Sequence, residues 1–289
     1  MTLLREARAP FELRALLGSD VWRGRGVLRG DGSPVLLVPG LMAGDETLRL
    51  MAAWLKRIGY VPVRAGMRSN VRCSEESASR LESRLERAVQ AAGRRGLIVG
   101  HSRGGMLGRV LAVRRPDLVG GVITLGTPHG AEMHDLHPVL QRQIDVLKAM
   151  GDARLGTLSS RCTIGAPGQA SPAFVGEGCC ERFWSDMRAA LPGEVRGASI
   201  FSETDGVVNW EACLADGFHP IEVASSHCGM AMHPEVYVKV AGELASAVRG
   251  DRARRRNDRA RSSVRAVTPV RVPTPLVSPR VPVAAGARP

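Results

Sequence analysis

The sequence predicts an α/β fold: a mostly parallel six-stranded sheet with helices on both faces. Three observations carry the prediction. Val35-Leu36-Leu37-Val38, Leu97-Ile98-Val99-Gly100 and Val122-Ile123-Thr124-Leu125 are unbroken apolar or small runs, the pattern of strands covered on both sides. Such runs alternate with segments of helical period, which implies parallel strands joined by crossover helices. Between the second of these runs and the helix after it stands Gly100-His101-Ser102-Arg103-Gly104. This G-x-S-x-G lies in the strand-turn-helix setting that displays a serine at a sheet edge.

The elements follow in order. Phe11, Leu13, Leu16 and Leu17 suggest one short amphipathic helix near the N-terminus, and a Gly- and Arg-rich connector follows. The strand Val35–Val38 ends in Pro39-Gly40-Leu41-Met42-Ala43-Gly44-Asp45, a turn that leads into a helix from about Glu46 to Ile58. Tyr60 to Val63 is a second strand. Its Pro62 cannot donate to a ladder, so the strand belongs at a sheet edge. Ser74 is the expected cap of a long helix that buries Leu81, Leu85, Ala88, Val89 and Ala92, with Glu75 and Glu76 suited to its first turn. After the Ser102 turn, Met106, Leu107, Val110 and Leu111 fall at helical spacing. The remaining strands are Gly121–Gly126, Ala198–Phe201 and Ile221–Val223. Helices are expected over Pro138–Met150, Glu181–Leu191 and His233–Val248.

Charge and composition bound the class. Residues 249–289 carry eleven Arg against two Asp, a net +9 out of +12 for the whole chain. The basicity therefore belongs to a tail and not to a folded face, which argues against a nucleic-acid-binding domain. From Gly250 onward, repeated Pro among Val, Arg and Ser predicts a disordered tail. Weak contact of that tail with nucleic acid or anionic lipid is the one macromolecular partnership the sequence suggests. The domain reading is a 1–33 extension, a main α/β domain over 34–249 interrupted by an irregular insertion at 131–180, and the tail 250–289. No long apolar run indicates a membrane span. Arg and Glu interrupt the N-terminal region where a secretory signal needs an apolar block, so a cytoplasmic address is expected. Six Cys at this length fit reduced thiols, with Cys213 and Cys228 a conceivable bridge.

The chemistry-bearing residues form an ordered set. A serine hydroxyl needs a histidine base and a carboxylate to orient that base. Gly100 and Gly104 remove side chains that would collide at the turn, and Gly105 lets helix and strand approach. Of the seven His, only His227 follows the last strand in a small-residue loop, at the carboxyl edge where α/β sites form. Asp205, in a turn with Gly206 after the penultimate strand, is the favoured acid, and Glu203 is its rival. Ser102, Asp205, His227 is the hydrolase order. His101 should point away from the nucleophile. His129, His134 and His137 have poor spacing for a metal site, so no metal ligand is assigned and no cofactor is expected.

The stretches PVLLVPGLMAGD, GHSRGG, VITLGTPHGA, SETDGVVNW and SSHCGM resemble the α/β-hydrolase superfamily, most of all its bacterial lipase and esterase branch, over residues 34–248. The resemblance implies a minimal form of that fold, with Tyr60–Val63 at an edge. It also implies an oxyanion hole of two backbone N–H groups, by position Leu41 and Arg103, with Met42 the alternative to Leu41. The insertion at 131–180 occupies the place of a lid or cap. Its apolar helix, with Leu140, Ile144 and Leu147, and the nearby Met42 are the expected acyl-binding residues. The expected activity is a serine hydrolase cleaving small-molecule carboxylic esters through an acyl-enzyme. Acyl transfer and thioester hydrolysis use the same groups. A catalytically silent hydrolase fold that binds through its basic tail is the alternative of another kind.

Overall fold

Strand order follows from where the apolar runs can hide. The computed structural model describes residues 2–130, 136–142, 144, 145 and 181–266, the last eight by backbone alone. Its six strands are β1 (Pro34–Val38), β2 (Val61–Arg64), β3 (Gly96–His101), β4 (Val119–Leu125), β5 (Arg196–Phe201) and β6 (Phe218–Glu222). They form one sheet in the order β2-β1-β3-β4-β5-β6, with every neighbouring pair parallel. The three strands with unbroken apolar runs, β1, β3 and β4, occupy inner positions and are buried along their whole length. The two edges, β2 and β6, each contain a proline, Pro62 and Pro220, and an edge is where a missing N–H is tolerated.

Helices cover both faces. On one face α1 (Ala9–Gly18), α2 (Arg49–Arg57) and α6 (Pro234–Ala266) bury Leu16, Trp54, Leu55, Tyr237, Val240 and Leu244 against Val35, Leu37, Leu97, Val99 and Ile123. On the other, α3 (Ser74–Ala92), α4 (Arg103–Arg114) and α5 (Glu181–Arg188) bury Leu81, Leu85, Leu107, Val110 and Phe183 against Leu36, Val38, Ile98 and Val122. Alternate residues of one strand thus serve opposite layers, as the two-residue strand period requires. Trp54 anchors the first layer. Its Nε1–H donates to the Val21 carbonyl at 2.8 Å, and its ring lies 4.6 Å from that of Tyr237. Residues 1–33 therefore contribute to the core, with Leu16 fully buried.

Several boundaries depart from the sequence reading. Ser74 does not cap α3; it is the helix's first residue, Cys73 holds the cap position, and no side-chain cap bond forms there. The Ser74 hydroxyl instead accepts from the Arg103 guanidinium at 3.0 Å. Strand β6 begins at Phe218, three residues earlier than its apolar signal. Helix α6 continues through Gly250 to Ala266, so residues 250–266 are helical and not the irregular tail expected from composition. Arg and Ala are strong helix formers, and their propensity outweighs the missing apolar stripe. Residues 267–289 lie outside the described residues. Residues 1–252 form one compact unit and 253–289 a second. Of the expected helix at Pro138–Met150, residues 138–142, 144 and 145 are helical, and the rest falls outside the described residues, as does most of the 131–180 insertion. Among the described residues no helix is long and apolar enough to cross a membrane.

Candidate active site

The turn between β3 and α4 is built as its glycines require. Ser102 has φ 52° and ψ −125°, a left-handed conformation that a non-glycine residue adopts only when its surroundings enforce it. They do so here. The Ser102 N–H donates to the Leu125 carbonyl at 2.8 Å, and its own carbonyl accepts from Gly105 N–H at 2.9 Å and from the Thr127 hydroxyl at 2.9 Å. A Cβ at Gly104 would strike the Val38 carbonyl oxygen, and one at Gly105 would strike the Thr127 hydroxyl. The turn tolerates no side chain at either position. Ser102 itself is largely buried at the N-terminus of α4, where the helix dipole favours developing negative charge.

Asp205 and His227 meet across the carboxyl ends of β5 and β6. Asp205 Oδ2 lies 2.6 Å from His227 Nδ1, and both side chains are almost wholly buried. The other carboxylate oxygen, Oδ1, accepts the N–H groups of Val207 at 2.7 Å and Val208 at 2.8 Å. A carboxylate held at both oxygens fixes the imidazole plane and leaves Nε2 as the ring nitrogen not bonded to Asp205. Gly126, at the end of β4, leaves room for this pair: a Cβ there would come within 3.0 Å of His227 Nδ1 and 3.2 Å of Asp205 Oδ2. Burial pushes the His227 pKa down, but the charge and hydrogen bond of Asp205 and the charge of Glu6 outweigh it, so the pKa lies above its ordinary value. Glu203, the rival acid, offers only its backbone carbonyl to this region, where Arg5 donates to it at 2.9 Å.

The His101 ring turns toward the loop that carries His227. Its Nε2 lies 2.9 Å from the His227 carbonyl oxygen, and the two rings are 4.9 Å apart. Burial, reinforced by His227, drives its pKa down to about 4. A neutral ring can donate Nε2–H to that carbonyl and adds no charge beside the base. His129 is likewise a neutral buried residue. It is held between Thr124 Oγ1 at 3.1 Å and Arg109 at 3.3 Å, and burial takes its pKa to about 3. His137 accepts the Val139 N–H at 3.2 Å, and His134 lies outside the described residues. Among the described residues no cluster of three or more His, Cys, Asp or Glu could hold a metal. Cys213 and Cys228 are thiols, one buried and one exposed, and are not bridged.

The Pro39–Asp45 turn lies against Ser102: a Cβ at Gly40 would be 3.3 Å from that of Ser102. Of the two candidate oxyanion donors in this turn, Met42 spends its N–H on the Asn70 carbonyl at 3.3 Å. It also adopts a left-handed φ of 58°. The Leu41 N–H has no acceptor among the described residues. Asn70, which sequence reasoning passed over, organises this wall. It is fully buried, and its Nδ2 donates to the Pro39 carbonyl at 2.8 Å. Its Oδ1 and carbonyl accept from the Arg103 side chain, which also reaches the Arg72 carbonyl at 2.8 Å. Arg103 thus supplies a backbone N–H at the head of α4 and a side chain that locks the facing loop.

Of the expected acyl-binding residues, Met42 is exposed, Leu140 is half-buried and Ile144 is buried. Leu147 lies outside the described residues. The start of the insertion is pinned to the acid loop. Leu136 bridges Val208, and His137 N–H donates to the Val207 carbonyl at 2.7 Å. Two further residues near the base were invisible in the sequence. Glu6 and Glu12, from the N-terminal segment, hydrogen-bond to the loop that carries His227. No local motif marks them.

No protein-family model matches the chain. Solved structures do resemble it. Lipase B of Aspergillus fumigatus superposes with a TM-score of 0.51 at 14% identity, covering 75% of this chain and 54% of that one. A monoacylglycerol lipase of Paleococcus ferrophilus gives 0.48 at 15% identity, covering 76% and 97%. A Bacillus licheniformis lipase in its mature form gives 0.48 at 14% identity, covering 76% and 96%. With six parallel strands in this order, helices on both faces and the superposition on lipase B, the chain has the α/β-hydrolase fold.

Proposed function

We propose that the protein is a serine hydrolase that cleaves small-molecule carboxylic esters through an acyl-enzyme. The observation that carries this reading is the buried 2.6 Å Asp205–His227 pair at the same sheet edge as a strained serine at a helix N-terminus. His227 Nε2 takes the Ser102 proton as the hydroxyl oxygen attacks the ester carbonyl. Asp205 stabilises the imidazolium that forms. The backbone N–H groups of Leu41 and Arg103 stabilise the oxyanion, and losing one such donor costs about 3 kcal/mol of barrier. Imidazolium Nε2–H then protonates the departing alkoxide. A water molecule, deprotonated by His227, releases the acid and restores Ser102. Met42, Leu140 and Ile144 are proposed to line the acyl side of the cleft.

A fluorophosphonate probe tests the reading directly. Purified protein should be labelled at Ser102, and Ser102→Ala should remove the label while leaving the melting temperature within about 2 °C, as for a substitution that makes no cavity. A series of p-nitrophenyl esters of increasing chain length then reports the acyl preference. Absence of labelling, together with no turnover of any ester in the series, would sink the hydrolase reading and favour a silent fold.

A further inference from the structure

The loops that carry Asp205 and His227 are joined from outside the sheet by a segment two hundred residues away in sequence. Glu6 Oε1 accepts the N–H of Gly206 at 3.1 Å and that of His227 at 2.9 Å. Its Oε2 accepts the N–H of Cys228 at 2.8 Å. One carboxylate therefore binds the residue after the acid, the base itself and the residue after the base. Glu12, buried in α1, grips the same loop one residue earlier: Oε1 takes the Ser226 N–H at 2.9 Å and Oε2 the Ser226 hydroxyl at 2.6 Å. Arg5 completes the contact by donating to the Glu203 carbonyl at 2.9 Å. Leu16 packs α1 into the core. The Glu12 carboxylate and that of Glu6 take five donors at and beside the acid and the base.

We propose that the N-terminal segment is a working part of the active site and that Glu6 is a positioning residue, clamping the acid loop to the base loop so that the His227 ring is held for proton transfer. The proposal rests on the hydrolase reading above. Besides the Asp205–His227 pair itself, the loops are joined by Thr204 Oγ1, which donates to the Ser225 carbonyl at 3.0 Å, and by Ser225 N–H, which donates to Ser202 Oγ at 3.3 Å. Both lie before the two functional residues. Glu6 takes the backbone N–H groups of His227 and of the residue after it. Hydrogen bonds to a charged acceptor are about twice as strong as neutral ones, so three on one carboxylate make a stiff joint. The charged and titratable groups facing His227 are Asp205 from the acid turn, His101 from β3, Glu6 from the N-terminal segment and Cys228 beside it, with Glu12 behind Ser226 and Arg5 at Glu203. Glu6 is among those that raise the His227 pKa. Removing its charge must therefore lower that pKa and move the acid limb of activity to lower pH.

Glu6→Gln in the full-length chain is the discriminating variant. The amide keeps one oxygen for the shared Gly206 and His227 donors but turns an NH2 group toward the Cys228 N–H, donor against donor. Three readouts are compared with wild type: the His227 titration followed on ring nitrogens by NMR, hydrogen exchange of the Gly206 and Cys228 amides, and the rate of fluorophosphonate labelling. The expected result is a lower His227 pKa, faster exchange at both amides and labelling slowed about tenfold, with KM for a p-nitrophenyl ester unchanged. Arg8→Gln, an exposed change on the same segment, should move none of them. Should Glu6→Gln fail to fold, Glu6→Asp keeps the charge, withdraws the carboxylate by one methylene and should still speed amide exchange. Wild-type exchange at Gly206 and Cys228 in the folded variant, or labelling within about twofold of wild type, overturns the proposal. If wild-type protein is not labelled at all, it is the hydrolase reading that fails, and the exchange and titration data still decide whether Glu6 holds the loops.

Discussion

Asp205 has both oxygens occupied, and that makes its replacement informative. In Asp205→Asn the carbonyl oxygen can still receive the Val207 and Val208 N–H groups, so the loop keeps its shape. The amide NH2 then faces His227 Nδ1 and forces the tautomer that carries its proton on Nε2. The base is lost without loss of fold. Turnover should fall by about four orders of magnitude, with an unchanged melting temperature. The equivalent change at Glu203 should leave turnover near wild type, since its carboxylate makes no contact with the base. Activity should also depend on pH in a defined direction. His227 must be neutral to accept a proton, and its pKa is raised above 6.5. Activity should therefore be lost as pH falls through a midpoint above 6.5, read from kcat/KM against pH. At this scale the Ser102 turn and the Asp205–His227 pair were legible, because each residue follows a strand in an order that chemistry restricts. Asn70 was not. A lone Asn in a loop is ordinary, and its value lies in reaching Pro39 and Arg103, residues that only folding brings near.

Three helices share one guanidinium. The Arg114 side chain on α4 is buried and makes a bidentate pair with Glu75 on α3 at 2.7 Å, and its Nε reaches Asp186 on α5 at 2.5 Å. Removing it leaves two partly exposed carboxylates facing each other. Arg114→Met should cost about 2–3 kcal/mol, less than a fully buried pair because Glu75 and Asp186 retain some solvent. Adding Glu75→Gln and Asp186→Asn should restore part of that stability in denaturant titrations. The sequence assigned Glu75 to the dipole of α3 and read Ser74 as its cap. Glu75 does stand in that first turn and also pairs with Arg114, whereas Ser74 gives up the cap and takes Arg103 as its partner. Strand β6 was missed at its start for a related reason. His219 and Pro220 are exposed and poor strand formers, and only pairing with β5 makes them a strand.

Among the described residues the last buried side chain of α6 is Ala247, and two ion pairs tie the following turn to residues of the domain, Arg95–Asp251 at 2.5 Å and Arg252–Asp31 at 2.9 Å. A chain ending after Arg252 keeps all of these. It should melt within about 2 °C of full length, as expected when no core contact is removed, and turn over small esters at the full-length rate. If the basic tail contacts nucleic acid or anionic vesicles, that binding should be present in the full chain at low salt and absent from the truncation. The six-strand architecture was legible because buried parallel strands write themselves as apolar runs. The partnership of the N-terminal segment with the site was not, because it spans the whole domain. That span has a consequence in time. Glu6 leaves the ribosome 221 residues ahead of His227, a lag on the order of ten to forty seconds at ordinary elongation rates. During that interval its carboxylate has no loop to hold. On the proposed reading the clamp closes only after nearly the whole domain has been synthesised, so a nascent chain carries Ser102 for many seconds before His227 exists to pair with it.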